Sequence, residues 1–341
     1  MAIFNATPEF TGNVYVPFEE RTGNESLVYF TRDLSAEGLR KAYAKVNAGI
    51  TGKVAIKLHT GEKDGPNIIP REWVASLVEN DLPDATIIET NTYYAGDRDT
   101  TEKHLDTIRH NGWTFCPVDI TDAEGTALLP VKGGKWFDQM SVGATLPSYD
   151  SMLTLTHFKG HTMGGFGGSN KNIGIGCADG KLGKKWIHAQ TSDNGQSWGG
   201  QWSVAQEELM EKISESTKAT IDFFGEHVTY VNVMRNMSVS CDCEGTSAQP
   251  VVTPNVGILA STDICAIDTA CVDLVWAMTN AGLVHNHDLM ERIETRHGLR
   301  QLSYMHELGM GNTRYVLIDL DNDEVRVRPL DAIQHVVPFE G

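Results

Sequence analysis

The chain has 341 residues, 40% hydrophobic and 21% charged, with a formal net charge of −17. So acidic a molecule repels a phosphate backbone and an anionic bilayer surface, so neither nucleic acid nor a membrane is expected as a partner, although one cleft can still be basic. No run approaches the roughly 20 apolar residues of a membrane span, no basic-then-apolar leader opens the sequence, and six cysteines are too few for a disulfide scaffold; a cytoplasmic protein with free thiols is expected.

Residues 1–25 read as an irregular arm, and 26–341 as the folded α/β part. Leu27 to Thr31 reads as a strand. Ser35 is placed to cap a helix running through about Val46, with Leu39, Tyr43 and Val46 on one face. Lys53 to Lys57 is a buried-strand pattern, Arg71 to Glu79 a helix, and Ala85 to Glu89 another strand, an alternation that predicts parallel pairing. A helix follows from Thr100 to Asn111, ended by Gly112, then a strand from Ser151 to Thr156. Leu209, Ile213, Ile221 and Phe224 recur at helical spacing within Val204 to Phe224, with Gly225 as the stop. Strands are expected at Val228 to Val233 and Val256 to Ala260, and a helix from Asp263 to about Met278. Short helices are expected near 288–296 and 300–308, and a terminal hairpin around Asp321 to Asp323. The fold class is therefore α/β, a mostly parallel central sheet flanked by helices. Two lobes, if present, divide near 145–150. The Gly/Ser/Trp-rich stretch Thr191 to Ser203 reads as a mobile loop.

The densest chemistry lies in residues 157–177, His-Phe-Lys-Gly-His-Thr-Met-Gly-Gly-Phe-Gly-Gly-Ser-Asn-Lys-Asn-Ile-Gly-Ile-Gly-Cys. A strand delivers His157 at its C-terminal end, the edge where parallel sheets bind ligands. Gly164, Gly165, Gly167 and Gly168 allow close backbone approach and positive φ. Successive amides in such a turn can cradle an anion, and Lys171 adds charge. The Gly-Lys-Ser/Thr ending of a phosphate-binding Walker loop is absent, and so is a dinucleotide fingerprint.

Around this block the chain resembles the domain of unknown function 362 family over most of its length. The matching segments are Lys53 to Lys57 with His59-Thr-Gly-Glu62, Glu89-Thr-Asn91, His157 to Gly176, Asn232 to Asn236, Cys241-Asp-Cys243, and Ala260 to Cys271. Many members of that family carry a ferredoxin-like segment, which implies iron–sulfur association; the C-x₂-C-x₂-C-x₃-C run it needs is absent here. His161, Gly165, Phe166, Gly167, Gly168 and Lys171 also look like the glycine loop of the lactate racemase family, which uses a nickel-bearing nucleotide, although here Ser169 follows the glycine pair instead of splitting the run.

Cys241 and Cys243, two residues apart, would point the same way in an extended segment and reach one metal; Cys177 would join them if the fold allows. Lys57, His59, Glu62, Asn91 and Asn172 sit at or after strand ends, or in the glycine block, where they would contact an anionic substrate. His157, His161 and Lys159 are the expected acid–base or ligating groups, because imidazole titrates near neutrality. The leading expectation is a metal- or metallocofactor-dependent enzyme (iron, nickel or zinc) acting on a small anionic metabolite by redox or isomerisation chemistry. A non-catalytic metal or iron–sulfur carrier and a metal-free small-anion binding protein are the alternatives.

Overall fold

The computed structural model describes residues 14–189, 204, 206–280 and 286–337; the expected mobile loop at 191–203 and residues 1–13 of the arm lie outside them. In chain order the elements are β1 Ser26–Thr31, α1 Ala36–Tyr43, β2 Val54–Lys57, α2 Arg71–Asp81, β3 Thr86–Glu89, α3 Thr101–His110, β4 Val118–Ile120, β5 Thr126–Pro130 and β6 Gln139–Gly143. Next come β7 Ser151–His157, β8 Lys159–His161, β9 Gly165–Gly167, α4 Ser169–Gly176, α5 Gly183–His188, α6 Gln206–Phe224, β10 Val228–Met234, β11 Met237–Ser238, β12 Val251–Thr253 and β13 Gly257–Ser261. The chain closes with α7 Ile264–Asn280, α8 His287–Thr295, α9 Arg300–Glu307, β14 Tyr315–Asp319, β15 Val325–Val327 and α10 Pro329–Ala332.

Nine strands form one sheet in the order β15-β14-β1-β13-β10-β7-β2-β3-β4. The pairs β1/β14, β10/β7, β7/β2, β2/β3 and β3/β4 are parallel. β13 runs antiparallel to both neighbours, as does β15 to β14. Side chains alternate across this sheet: Val54, Ile56, Leu153, Leu155, Val231 and Val233 face the core under α1, α2 and α3, whereas Ala55, Met152, Val228 and Tyr230 face the core under α4, α6 and α7. Because both faces are covered, β7 and β10 are buried at every position, which is why they read as continuous apolar runs.

Local signals explain the element ends. The Ser35 hydroxyl accepts the Gly38 amide at the start of α1. Gly225 adopts φ +58 after α6. The described part of the arm is tied down: the Arg21 guanidinium and the Tyr15 hydroxyl both donate to Asp273 of α7. β2 pairs directly with β7, so the sheet is continuous across residues 145–150.

The chain order positions the site. From β2 it moves outward through β3 and β4, returns through the β5–β6 hairpin, and re-enters the sheet as β7 on the other side of β2. Such a reversal opens a crevice at the carboxyl ends of the strands. Lys57, Glu89 and His157 are the last residues of β2, β3 and β7.

Candidate functional site

A cavity of about 400 Å³ opens at that crevice. Its floor is the ends of β2, β3 and β7, and one wall is the α4 face bearing Lys171, Asn172, Ile175 and Gly176. The β8–β9 hairpin contributes Lys159, His161 and Gly167, and the turn after β11 contributes Cys243 and Glu244.

Asp242–Ser247 is a 3₁₀ turn, not the extended segment expected from the Cys-x-Cys spacing. The two thiols converge for another reason. Cys241 caps the turn, its sulfur accepting the Cys243 amide at 3.4 Å, while Glu244 reaches back to the Cys241 amide at 3.0 Å. His161 comes from the β8 end, and donor atoms of His161, Cys241 and Cys243 lie within 4.8 Å of one another. The Lys171 ammonium lies 3.7 Å from the Cys241 sulfur. The Cys243 thiol, Lys171 and His161 together hold the Cys241 thiol well below its usual pKa against the cost of burial. The neighbouring thiolate pushes Cys243 well up. Two sulfurs and an imidazole form a donor set that fits a borderline or soft ion such as zinc, iron or nickel.

Asp242, between the cysteines, accepts from His157 Nδ1 at 2.9 Å and pairs with Lys159 Nζ at 2.9 Å. Burial opposes its ionisation, but His157 and Lys159 hold its carboxyl far below the usual range. At the other end of the cavity, Lys57 Nζ pairs with Glu89 at 2.8 Å and Arg98 with Glu62 at 2.6 Å. Lys184, from α5, donates to Thr90 Oγ1 and to the Asn91 carbonyl, both at 2.5 Å; burial pulls its pKa down to about 8. Five cationic side chains thus line or border the cavity of a molecule of net charge −17, four of them paired with a carboxylate or with the Cys241 sulfur.

A family model described as domain of unknown function (DUF362) matches residues 54–273. The chain belongs to that family. The family span runs from β2 into α7, so every cavity group named above falls inside it. No curated protein matches the sequence. Among solved structures, the lactate racemase apoprotein from Thermoanaerobacterium thermosaccharolyticum is 12% identical, with 90% of this chain and 85% of that chain covered and a TM-score of 0.41. A Thermotoga maritima protein is 11% identical, with 58% and 49% covered and a TM-score of 0.31.

The expected site residues divide into three groups. Lys57, His59, Lys159, His161, Gly167, Gly168, Lys171, Asn172 and Cys243 line the cavity. A second group supports it from behind. Glu62 fixes Arg98 and the Tyr94 hydroxyl, Asn91 supplies its carbonyl to Lys184, and Cys241 lies against His161 and Lys171. His157 is also behind the wall, with Nδ1 on Asp242 and Nε2 2.7 Å from the Arg235 carbonyl, so neither nitrogen is directed at a ligand.

A third group packs. Gly165 has φ +76, and a Cβ there would lie 2.8 Å from Gly298 Cα; the Gly164 carbonyl accepts from Gln301. The anion-cradling role expected of this turn is taken from within: the Ser169 and Asn170 amides, at the start of α4, donate to Asp268 at 2.8 and 2.9 Å. Cys177 is at the end of α4 in the hydrophobic core, outside the three-residue donor cluster, and burial raises its thiol to about 12. Arg98, Lys184 and the carboxylate of Asp242 were not singled out from sequence. Only the Asp242 position, inside Cys-x-Cys, carried a signal.

Proposed function

We propose that this protein is a metal-dependent enzyme that binds a small anionic metabolite in the cavity at the β2/β7 switch and acts on it by redox or isomerisation chemistry. One observation carries the reading: His161 and Cys243 on the wall of the cavity, with Cys241 just behind them, bring their donor atoms together beside Lys57, Arg98, Lys159, Lys171 and Lys184. An ion held by these donors would supply Lewis-acid or electron-transfer chemistry to a bound ligand. Lys171 and Lys159 attract the anionic part of the ligand to that end, and Asp242 keeps Lys159 charged and oriented. A carrier that hands its metal to a partner needs an accessible site, and Cys241 is 1% exposed and His161 8%; burial favours the enzyme over the carrier.

A second reading, a metal-free thiolate, is favoured by one specific feature. The Gly61 and Gly164 amides donate to Nδ1 of His59 and His161, at 2.9 and 2.8 Å. In the neutral ring the proton then sits on Nε2, where it serves as a donor to the Cys241 sulfur rather than a lone pair for a metal.

Elemental analysis of tag-free protein purified without oxygen separates the two. The metal reading expects near-stoichiometric zinc, iron or nickel, lost in Cys241→Ser/Cys243→Ser. Metal-free folded protein whose thiolate ultraviolet absorbance persists at pH 6 and is lost in Cys241→Ser would replace it with the thiolate reading.

A further inference from the structure

The cations of the cavity are not equivalent. Lys57 is answered by Glu89, Arg98 by Glu62, Lys159 by Asp242, and Lys171 by the Cys241 sulfur. Lys184 is 5% exposed and has no carboxylate within ion-pair reach among the described residues; its contacts are a hydroxyl and a carbonyl. Glu89 and Asp122 act on it only at longer range, against Lys57 and Arg98 of like charge. A buried ammonium without a counter-ion is costly unless something else supplies the negative charge. Its Nζ has three donors and two are used. The third is left for a group in the cavity that Lys184 lines.

The position of Lys184 relative to the thiol cluster follows from α4. Lys171, beside Cys241, and Gly176 are five residues apart on that helix, about 7.5 Å along its axis. The Gly176 carbonyl accepts from the Thr90 hydroxyl at 3.1 Å, and Thr90 Oγ1 is the atom that Lys184 Nζ contacts. Lys184 is therefore at the far end of the α4 face from Lys171 and His161. The wall between them carries Ile175.

We propose that the ligand is two-headed: a carboxylate or phosphate bound by Lys184 at one end, and a second anionic or metal-seeking group at the Lys171/His161 end, joined by an apolar spacer. This rests on the cavity being the binding site proposed above, and does not require the metal. With the stretch of α4 between the two ends as the scale, about 7.5 Å, and about 1.2 Å per bond in an extended chain, the spacer is on the order of six bonds. Monoanions reach one end only, and short diacids cannot span both.

The test is calorimetric titration of tag-free protein with straight-chain α,ω-dicarboxylates from succinate to azelate, with hexanoate as the one-headed probe. Affinity should peak near pimelate and fall about tenfold or more at succinate, the loss expected when one charge-assisted contact is forfeited. Lys184→Met should bring pimelate down to the hexanoate level, Lys184→Arg should restore most of it, and neither should change metal content. A flat length profile, no diacid binding, or wild-type pimelate affinity in Lys184→Met would overturn the inference. The length profile needs no variant, so a misfolded substitution cannot rescue it. Metal-free wild-type protein that still shows Lys184-dependent diacid binding would confine the failure to the metal reading.

Discussion

At the scale of single residues, buried charge organises the cavity floor. Lys57 and Glu89 are both almost fully buried and meet at 2.8 Å. Burial alone would raise the Glu89 carboxyl; Lys57, His59 and Arg98 outweigh it and hold it far below its ordinary value of 4.5. A carboxyl with a depressed folded pKa adds stability that is whole above its unfolded pKa and is lost as pH falls through the folded one. Wild-type stability should therefore decline steadily below pH 4.5, and Glu89→Gln should decline less steeply; urea unfolding at stepped pH measures the slopes. Lys57→Met strands the Glu89 charge and should cost about 3–5 kcal/mol at neutral pH. Sequence reading placed Lys57 and Glu89 at strand ends facing a cleft. It did not show that they neutralise each other, because that depends on β2 lying beside β3 in register, Lys57 opposite Ile88.

At the scale of elements, the glycine block is a packed hairpin and helix start rather than an open loop. Gly167 pairs with Lys159 and Gly165 with His161, which brings His161 round to the cysteines. Gly165 meets Gly298 backbone and Gly168 meets Asp268, so both need the missing side chain for space. Gly133 has nearly the same φ as Gly165, +75 against +76, with no neighbour within 4 Å. Gly133→Ala thus isolates the backbone strain of a left-handed residue, about 1–3 kcal/mol. Gly165→Ala should lose that plus about 1–3 kcal/mol of overpacking, read as a larger drop in urea midpoint. Equal losses would show that the close approach to Gly298 is relieved at no cost. Glycine density was legible in the sequence as a demand for close approach, whereas what approaches comes from the turn after α8 and from α7, more than 90 residues onward. β4 to β6 were not legible: β4 has three residues, and β5 is largely exposed and ends at Pro130.

At the scale of the whole molecule, the α/β class and the mostly parallel sheet follow from the alternation of elements, and the family span of residues 54–273 covers the switch between β2 and β7. The crevice there collects residues from β2, β3, β7, α4, α5 and the Cys241 turn. Those near a glycine- or cysteine-rich motif could be anticipated. Arg98 and Lys184 could not, since they arise in segments without a motif and matter only because the fold brings them to one cavity. We propose that the two thiols and His161 hold a metal beside that cavity. Anomalous diffraction at the absorption edge of the metal found by elemental analysis tests it most directly, using crystals grown without oxygen. One strong peak is expected within about 2.0–2.4 Å of the Cys241 and Cys243 sulfurs and a His161 nitrogen. No peak there, or a peak elsewhere in the molecule, would contradict it.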